Sequence, residues 1–143
     1  MELKVAVMKL HGSARLPRYA TSGAAGMDLH ACLEEAMELL PGEIVAVPTG
    51  LAVAIPSGWV GLVRDRSGLA MTGVHTLAGV IDSDYRGEVK IALHNAASSP
   101  RTIQPGDRIA QMLILPSPQV ALVETAELPA TNRGAGGFGS TGR

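Results

Sequence analysis

The sequence predicts an all-β fold built from many short strands. Seventeen glycines and nine prolines divide the 143-residue chain into short segments. The apolar runs between them are too short and too rich in β-branched residues for a helix bundle, and several alternate apolar with polar residues. Pairs such as Pro41-Gly42 and Thr49-Gly50 suit tight turns between these runs. Many short strands with short connections are typical of a sandwich or a closed barrel.

Nine segments have the residue pattern of strands. One or two helical turns are predicted after Ser67, because the residues that follow lack strand character. The predicted strands are residues 4–10, 27–32, 43–48, 51–55, 59–65, 74–78, 88–94, 108–115 and 119–124.

Composition narrows the class of protein. Hydrophobic residues make up 46% of the chain and charged residues 17%, which favours one folded domain over disorder. The single cysteine, Cys32, cannot form an intrachain disulfide. A net charge of −1 indicates no surface for a nucleic-acid polymer. No apolar run approaches the ~18 residues of a membrane span, and no signal peptide is evident. We expect a soluble, cytoplasmic protein with no membrane partner.

The C-terminal residues differ from the rest of the chain. Residues 133–143 hold five glycines, one aromatic residue, two hydroxyl residues and two arginines, a composition that cannot pack a core of its own. We therefore divide the chain into a β-barrel domain, residues 1–130, and a flexible arm, residues 131–143. A disordered tail without a role is the alternative.

Five polar or glycine-rich segments interrupt the predicted strands. Their order and their residues resemble the five ordered motifs of the trimeric dUTPases, and together they extend from residue 25 nearly to the C-terminus. The segments are residues 25–29, 66–68, 79–87, 105–111 and the tail from Arg133. The resemblance implies a distorted jelly-roll β-barrel, a homotrimer that exchanges its C-terminal arms, and a Mg²⁺ cofactor. It also implies hydrolysis of dUTP to dUMP and pyrophosphate, which removes dUTP from DNA precursors and supplies dUMP for dTMP synthesis.

Asp82 is the candidate catalytic residue. It follows the apolar pair Val80-Ile81, so its carboxylate is expected to project from a held backbone into a cleft. The resemblance implies that it orients the attacking water, a role that depends on placement more than on removal of a proton. A turn-capping aspartate is the alternative. Tyr85 is then expected to stack on the deoxyribose and exclude a 2′-hydroxyl, whereas an ordinary strand aromatic is its alternative.

Phosphate binding is predicted at Arg66, Ser67 and Gly68, which offer a guanidinium, a hydroxyl and open backbone N–H groups. Gln111, an amide in an apolar strand, needs a partner that a phosphate oxygen can supply. A core hydrogen bond to backbone explains Gln111 equally well. Asp28 is expected to contact Mg²⁺ through water. A salt bridge that braces the Arg66 loop is nearly as good an explanation for it.

The resemblance implies base recognition by a hairpin, which here would run over residues 74–85. In it Gly79 is expected to allow close approach of uracil, and Val80 and Ile81 to form the wall. Thr76 stands where many bacterial relatives have asparagine, which leaves open how the uracil edge is read. Lys90 matches a pocket position loosely, and an exposed strand lysine is the better interpretation.

The arm is expected to close an active site of a neighbouring copy. The resemblance implies stacking of Phe138 on uracil and charge neutralisation by Arg133. Phosphate contacts are implied for Gly139, Ser140 and Thr141. Asp65 departs from the family's usual proline, so a carboxylate stands beside the phosphate-binding Arg66, where it competes for that arginine or orients it.

Two other functions are compatible with an all-β chain of this kind. dCTP deaminases share this fold and a similar aspartate segment, but they carry a glutamate where this chain has Ala92 and a second serine where it has Gly68. A non-catalytic β-sandwich that binds a nucleotide or a protein is a different class, and the presence of Asp82 and the arm argues against it.

Overall fold

The computed structural model describes residues 2–142. Strands dominate this range, and the one helix in it has four residues. In chain order the elements are β1 (Ala6–Lys9), β2 (Arg18–Tyr19), β3 (Met27–His30), β4 (Met37–Leu39), β5 (Ile44–Ala54), β6 (Trp59–Arg64), α1 (Ser67–Ala70), β7 (Val74–Leu77), β8 (Val80–Ile81), β9 (Glu88–Asn95), β10 (Arg101–Ile103) and β11 (Arg108–Pro116).

The strands form three antiparallel sheets. One sheet has the order β1-β5-β9-β7, and the second has the order β2-β3-β11-β6-β8. A small third sheet pairs β10 with β4. The alternation of side chains along each strand sends one apolar face inward. Residues from all three sheets, such as Ile91, Met112 and Leu39, belong to one buried cluster. The core therefore lies between the sheets.

The prediction of an all-β fold is confirmed, and seven of the observed strands overlap a predicted one. The predicted helical turn after Ser67 is α1. Four short strands, β2, β4, β8 and β10, were not predicted, because two or three residues carry too little alternation to be recognised.

Two details of the prediction are wrong. Residues 43–48 and 51–55 form one strand, β5, and Thr49-Gly50 is a bulge within it. Gly50 has φ +67, and a Cβ there would lie 2.8 Å from Cys32 Sγ. The bulge is held by the Thr49 hydroxyl, which donates to Val89 O, and by Glu88, which accepts the N–H of Gly50.

The other error is the predicted strand over residues 119–124. No strand or helix lies between Ser117 and Gly142, and nearly every residue of that stretch is exposed. Val120, Leu122 and Val123 are 75%, 93% and 83% exposed, so these apolar side chains have no core within the single chain. Within residues 2–142, no helix has the length and hydropathy of a membrane span.

Candidate active site

The β7–β8 hairpin joins the two large sheets. β7 pairs with β9 in the four-stranded sheet, whereas β8 pairs with β6 in the five-stranded sheet. Ala78 and Gly79 between them have φ +59 and φ +108. Gly79 O accepts the N–H of Val63 at 2.7 Å, and a Cβ on Gly79 would lie only 2.7 Å from Val63 O. Glycine is thus required for the hairpin to approach β6 this closely.

A cleft of 420 Å³ opens beside this hairpin. We call it the base cleft. Its size falls in the range of small-molecule sites, about 300–1,000 Å³. The predicted residues Gly79, Val80, Ile81, Asp82, Tyr85 and Lys90 all line it, together with Val63, Leu77, Ala78, Glu88, Ile91 and Ala92. Ala92 and Glu88 were not predicted as cleft residues; Ala92 is brought to the cleft by its pairing with Leu77 of β7.

Asp82 and Tyr85 form a turn at the mouth of the base cleft. The N–H of Tyr85 donates to Asp82 O at 3.2 Å, and the Tyr85 hydroxyl donates to Glu88 O at 2.8 Å. Gly87 leaves room for the ring, because a Cβ there would lie 2.5 Å from the Tyr85 hydroxyl. The Asp82 side chain is exposed. Within residues 2–142 it caps no backbone group, so its carboxylate is free to meet a ligand.

A second cavity, of 190 Å³, lies at the start of α1. We call it the phosphate cavity. It brings together the predicted residues Asp28, Arg66, Ser67, Gly68 and Gln111, with Ala20, Ala24 and Gly26 completing its wall. Gln111 Nε2 donates to Asp65 O at 2.8 Å. This is the hydrogen bond to backbone that is the alternative to a phosphate contact for Gln111. Its Oε1 lies against Gly26, where a Cβ would be at 2.4 Å.

Asp28 is buried and is paired with two guanidinium groups. Arg66 Nε lies 3.2 Å from Asp28 Oδ1, and Arg108 Nη1 lies 3.5 Å from Oδ2. The bracing salt bridge therefore exists. Arg108 was not predicted. It follows the Pro105-Gly106-Asp107 turn and pairs with His30 of β3, and this strand pairing places it near Asp28.

The chemistry of the donor set is compatible with a hard cation. The structure shows no group of three His, Cys, Asp or Glu residues suited to a metal anywhere in residues 2–142. Mg²⁺ characteristically binds through one or two carboxylates, water and substrate phosphates, so the single carboxylate of Asp28 in a phosphate-sized cavity fits water-mediated binding.

Two predicted positions behave differently from expectation. Thr76 does not line the base cleft, and its N–H donates to Asp65 Oδ1 at 2.5 Å. Asp65 consequently neither competes for Arg66 nor orients it through its carboxylate, because Arg66 pairs with Asp28 instead. Lys90 is an exposed residue of β9 that also borders the cleft.

The arm residues lie outside both cavities of their own chain. Phe138 is fully exposed. Arg133 Nε donates to Gly136 O, and Ser140 Oγ accepts the N–H of Gly137, both at 2.7 Å. Gly139 and Thr141 are also exposed. Nor do the base cleft and the phosphate cavity share any lining residue. The predicted site residues are thus grouped into three separate parts of one chain.

This arrangement is that of an all-β domain with a small-molecule cleft and a separate, arginine-lined cavity. The dUTPase family model matches residues 13–142. The deoxyuridine 5′-triphosphate nucleotidohydrolase of Desulfotalea psychrophila is 49% identical, over 99% of both chains. That of Wolbachia pipientis wMel is 51% identical over 99% of this chain and 97% of its own. The chain belongs to the dUTPase family.

Solved structures agree with this assignment. A variant dUTPase of Staphylococcus bacteriophage 80alpha with dUpNHpp superposes with a TM-score of 0.90, at 28% identity, and covers 98% of this chain and 99% of that one. The dUTPase of the S. aureus phage phi11, in a structure that details the coordination of a structural Mg(II) ion, has a TM-score of 0.81 at 27% identity, covering 89% and 99%. The predicted jelly-roll fold is confirmed by these likenesses.

Proposed function

We propose that this chain hydrolyses dUTP to dUMP and pyrophosphate through attack of a water, positioned by Asp82, on the α phosphorus. Its family makes it a dUTP diphosphatase, a hydrolase. The observation that carries the finer proposal is the position of Asp82 at the mouth of a nucleoside-sized cleft, with its carboxylate uncommitted to the fold. The water's oxygen bonds to phosphorus, the bond to the bridging oxygen breaks, and pyrophosphate leaves.

The base cleft supports recognition of a pyrimidine deoxynucleoside. Leu77, Ala78 and Gly79 of the hairpin line the cleft wall, and Val80 and Ile81 supply its apolar surface. Tyr85 is anchored through its hydroxyl to Glu88 O, so its ring is fixed where a sugar would stack. Lys90 borders the same space and is proposed as a polar contact to the nucleotide.

The phosphate cavity supports binding of the triphosphate. Arg66, Ser67 and Gly68 offer a charge, a hydroxyl and backbone donors in one place, and Gln111 faces them. Asp28 would hold Mg²⁺ through water, and the bound ion would neutralise charge on the phosphates. Because Asp28 is already balanced by Arg66 and Arg108, it holds the Arg66 guanidinium in place.

We also propose that the active enzyme is a homotrimer. The base cleft, the phosphate cavity and the arm are separate on one chain, so a complete site needs surfaces of more than one copy. Within residues 2–142, β1 pairs with β5 alone and has a free edge, and residues 119–124 expose Val120, Leu122 and Val123. Exchange of this segment and of the arm, residues 131–143, between copies would cover both features. Phe138, Arg133, Gly139, Ser140 and Thr141 would then reach a neighbour's nucleotide.

The proposed biological role is removal of dUTP from DNA precursors and supply of dUMP for dTMP synthesis, in the cytoplasm. The deaminase alternative gains no support, because Ala92 lines the base cleft where a proton-transferring carboxylate would be needed. Glu88 also borders the cleft, but its Oε2 accepts the N–H of Gly50.

The test is an HPLC assay of purified protein with dUTP, dCTP, dTTP and UTP, with Mg²⁺ and with EDTA. Selective release of dUMP and pyrophosphate, lost in Asp82→Asn and retained in the matched Asp84→Asn, supports the proposal. Loss of turnover in EDTA that Mg²⁺ restores supports the metal. Formation of dUTP from dCTP indicates a deaminase, and binding without turnover indicates a nucleotide-binding protein.

A further inference from the structure

Two residues hold the turn between β7 and β8: Val63, near the end of β6, and Asp65, just after that strand. The N–H of Val63 donates to Gly79 O at 2.7 Å. Two residues further along the chain, Asp65 Oδ1 accepts the N–H of Thr76 at 2.5 Å. Leu77 and Ala78 therefore lie between two fixed points, and both residues line the base cleft.

The turn needs this support because its backbone is unfavourable. Ala78 has φ +59, a left-handed conformation in which an L side chain is strained and which persists only where the surrounding structure imposes it. In its sheet β7 pairs with β9 on one side alone. The Asp65 carboxylate supplies a partner to Thr76 across the junction of the two large sheets.

Asp65 also lies beside the phosphate cavity. Its backbone O accepts Gln111 Nε2 at 2.8 Å, and the next residue, Arg66, pairs with Asp28. Yet Asp65 lines neither the cavity nor the base cleft. It acts on a ligand only through the residues that it holds.

We propose that Asp65 is a positioning residue for the base, whose carboxylate keeps the hairpin wall of the base cleft in its binding conformation. The inference rests on the proposed function, since the ligand of the cleft is taken to be a uracil nucleotide. The role needs an oxygen acceptor at Oδ1 and does not need the negative charge.

Two substitutions separate the acceptor from the charge. Asp65→Ala removes the acceptor, and loss of one hydrogen bond, even without the contribution of the charge, corresponds to up to about a tenfold effect. We expect Asp65→Ala to raise KM for dUTP and Kd for dUMP about tenfold with little change in kcat, and Asp65→Asn to stay near the wild type. Glu43→Ala is the matched control. Glu43 also accepts a backbone N–H, that of Leu40 at 2.7 Å, but in the turn between β4 and β5, and its loss should leave KM unchanged.

A second pair of measurements excludes a merely structural role. Glycine adopts φ near +59 without strain, so adding Ala78→Gly to Asp65→Ala should restore most of the lost affinity. Amide exchange of Thr76, followed by NMR, should be slow in the wild type and fast in Asp65→Ala. General destabilisation would lower the unfolding midpoint and the active fraction, without a specific change in KM or in the amide exchange of Thr76.

Wild-type KM and Kd in Asp65→Ala, or unchanged exchange at Thr76, would overturn the inference. The absence of dUTP hydrolysis by the wild type would instead reject the proposed function. In that case the dUMP affinities and the Thr76 exchange of the same variants still decide the role of Asp65.

Discussion

Gly79→Ala tests whether the base cleft depends on the close approach of the hairpin to β6. The substitution carries two costs. A non-glycine residue at φ +108 is strained by about 1–3 kcal/mol. The added Cβ would lie 2.7 Å from Val63 O and 3.3 Å from Val63 Cβ, and relief of such overpacking costs about another 1–3 kcal/mol. Together the loss of about 2–6 kcal/mol is a large part of a typical stability of about 5–15 kcal/mol.

Two other glycines make the comparison quantitative. Gly42 has φ +79 with no atom within 4 Å of a built Cβ, so Gly42→Ala carries the backbone strain alone. Gly12 has open space and no positive φ, so Gly12→Ala should be nearly neutral. Urea unfolding at a fixed protein concentration, necessary for an oligomer, should rank the losses Gly12, Gly42, Gly79 in rising order. If Gly79→Ala destabilised the protein no more than Gly42→Ala, the close contact with Val63 would have no energetic importance.

Three further predictions concern the phosphate cavity, the arm and the pH dependence of stability. Gly26→Ala should displace the side chain of Gln111, whose Oε1 lies against the built Cβ, and raise KM for dUTP, with a loss of stability of about 1–3 kcal/mol from overpacking; an unchanged KM would mean that Gln111 does not contact the nucleotide. Phe138→Ala should raise KM for dUTP without loss of stability, because the ring is fully exposed in the single chain; a lower urea midpoint would show that the ring packs in the fold. Burial, assisted by Arg15, lowers the pKa of His30 from its ordinary 6.5, so the unfolded chain takes up the proton first as the pH falls. Stability from neutral His30 is complete above pH 6.5 and is lost as the pH falls toward the lowered folded-state pKa; His30→Gln should flatten that part of the urea-midpoint curve, and an unchanged curve would refute the assignment.

The long strands were predictable because their burial alternates along the chain. β9, for example, buries Val89, Ile91 and Leu93 and exposes or half-exposes the residues between them. Strands such as β8, with two residues, depend on pairing with a distant strand and leave no periodic signal. Gly50 has the composition of a turn, yet long-range contacts with Cys32 and Glu88 make it a bulge. Such contacts between residues far apart in sequence are invisible to local patterns.

The site residues also divide into those that a local motif predicts and those that depend on contacts between distant parts of the sequence. Asp82, Arg66 and Gln111 could be predicted because each belongs to a short segment of distinctive sequence. In the structure Asp82 lines the base cleft, and Arg66 and Gln111 line the phosphate cavity. The role of Asp65 could not be read from its neighbour Arg66, since its hydrogen-bond partner, Thr76, is eleven residues away. Residues 119–124 hold a short apolar run typical of a strand, but they pair with no strand within residues 2–142, so local pattern and structure differ there.

The membership of one hairpin in both large sheets has a consequence for motion. A cleft built on a surface loop can open by local fraying, at a small free-energy cost. Here β7 and β8 are edge strands of the two large sheets, and each is hydrogen-bonded to one neighbour, β9 or β6. A movement of the cleft wall at either end therefore breaks hydrogen bonds of one large sheet, so the shape of the cleft is coupled to both sheets at once.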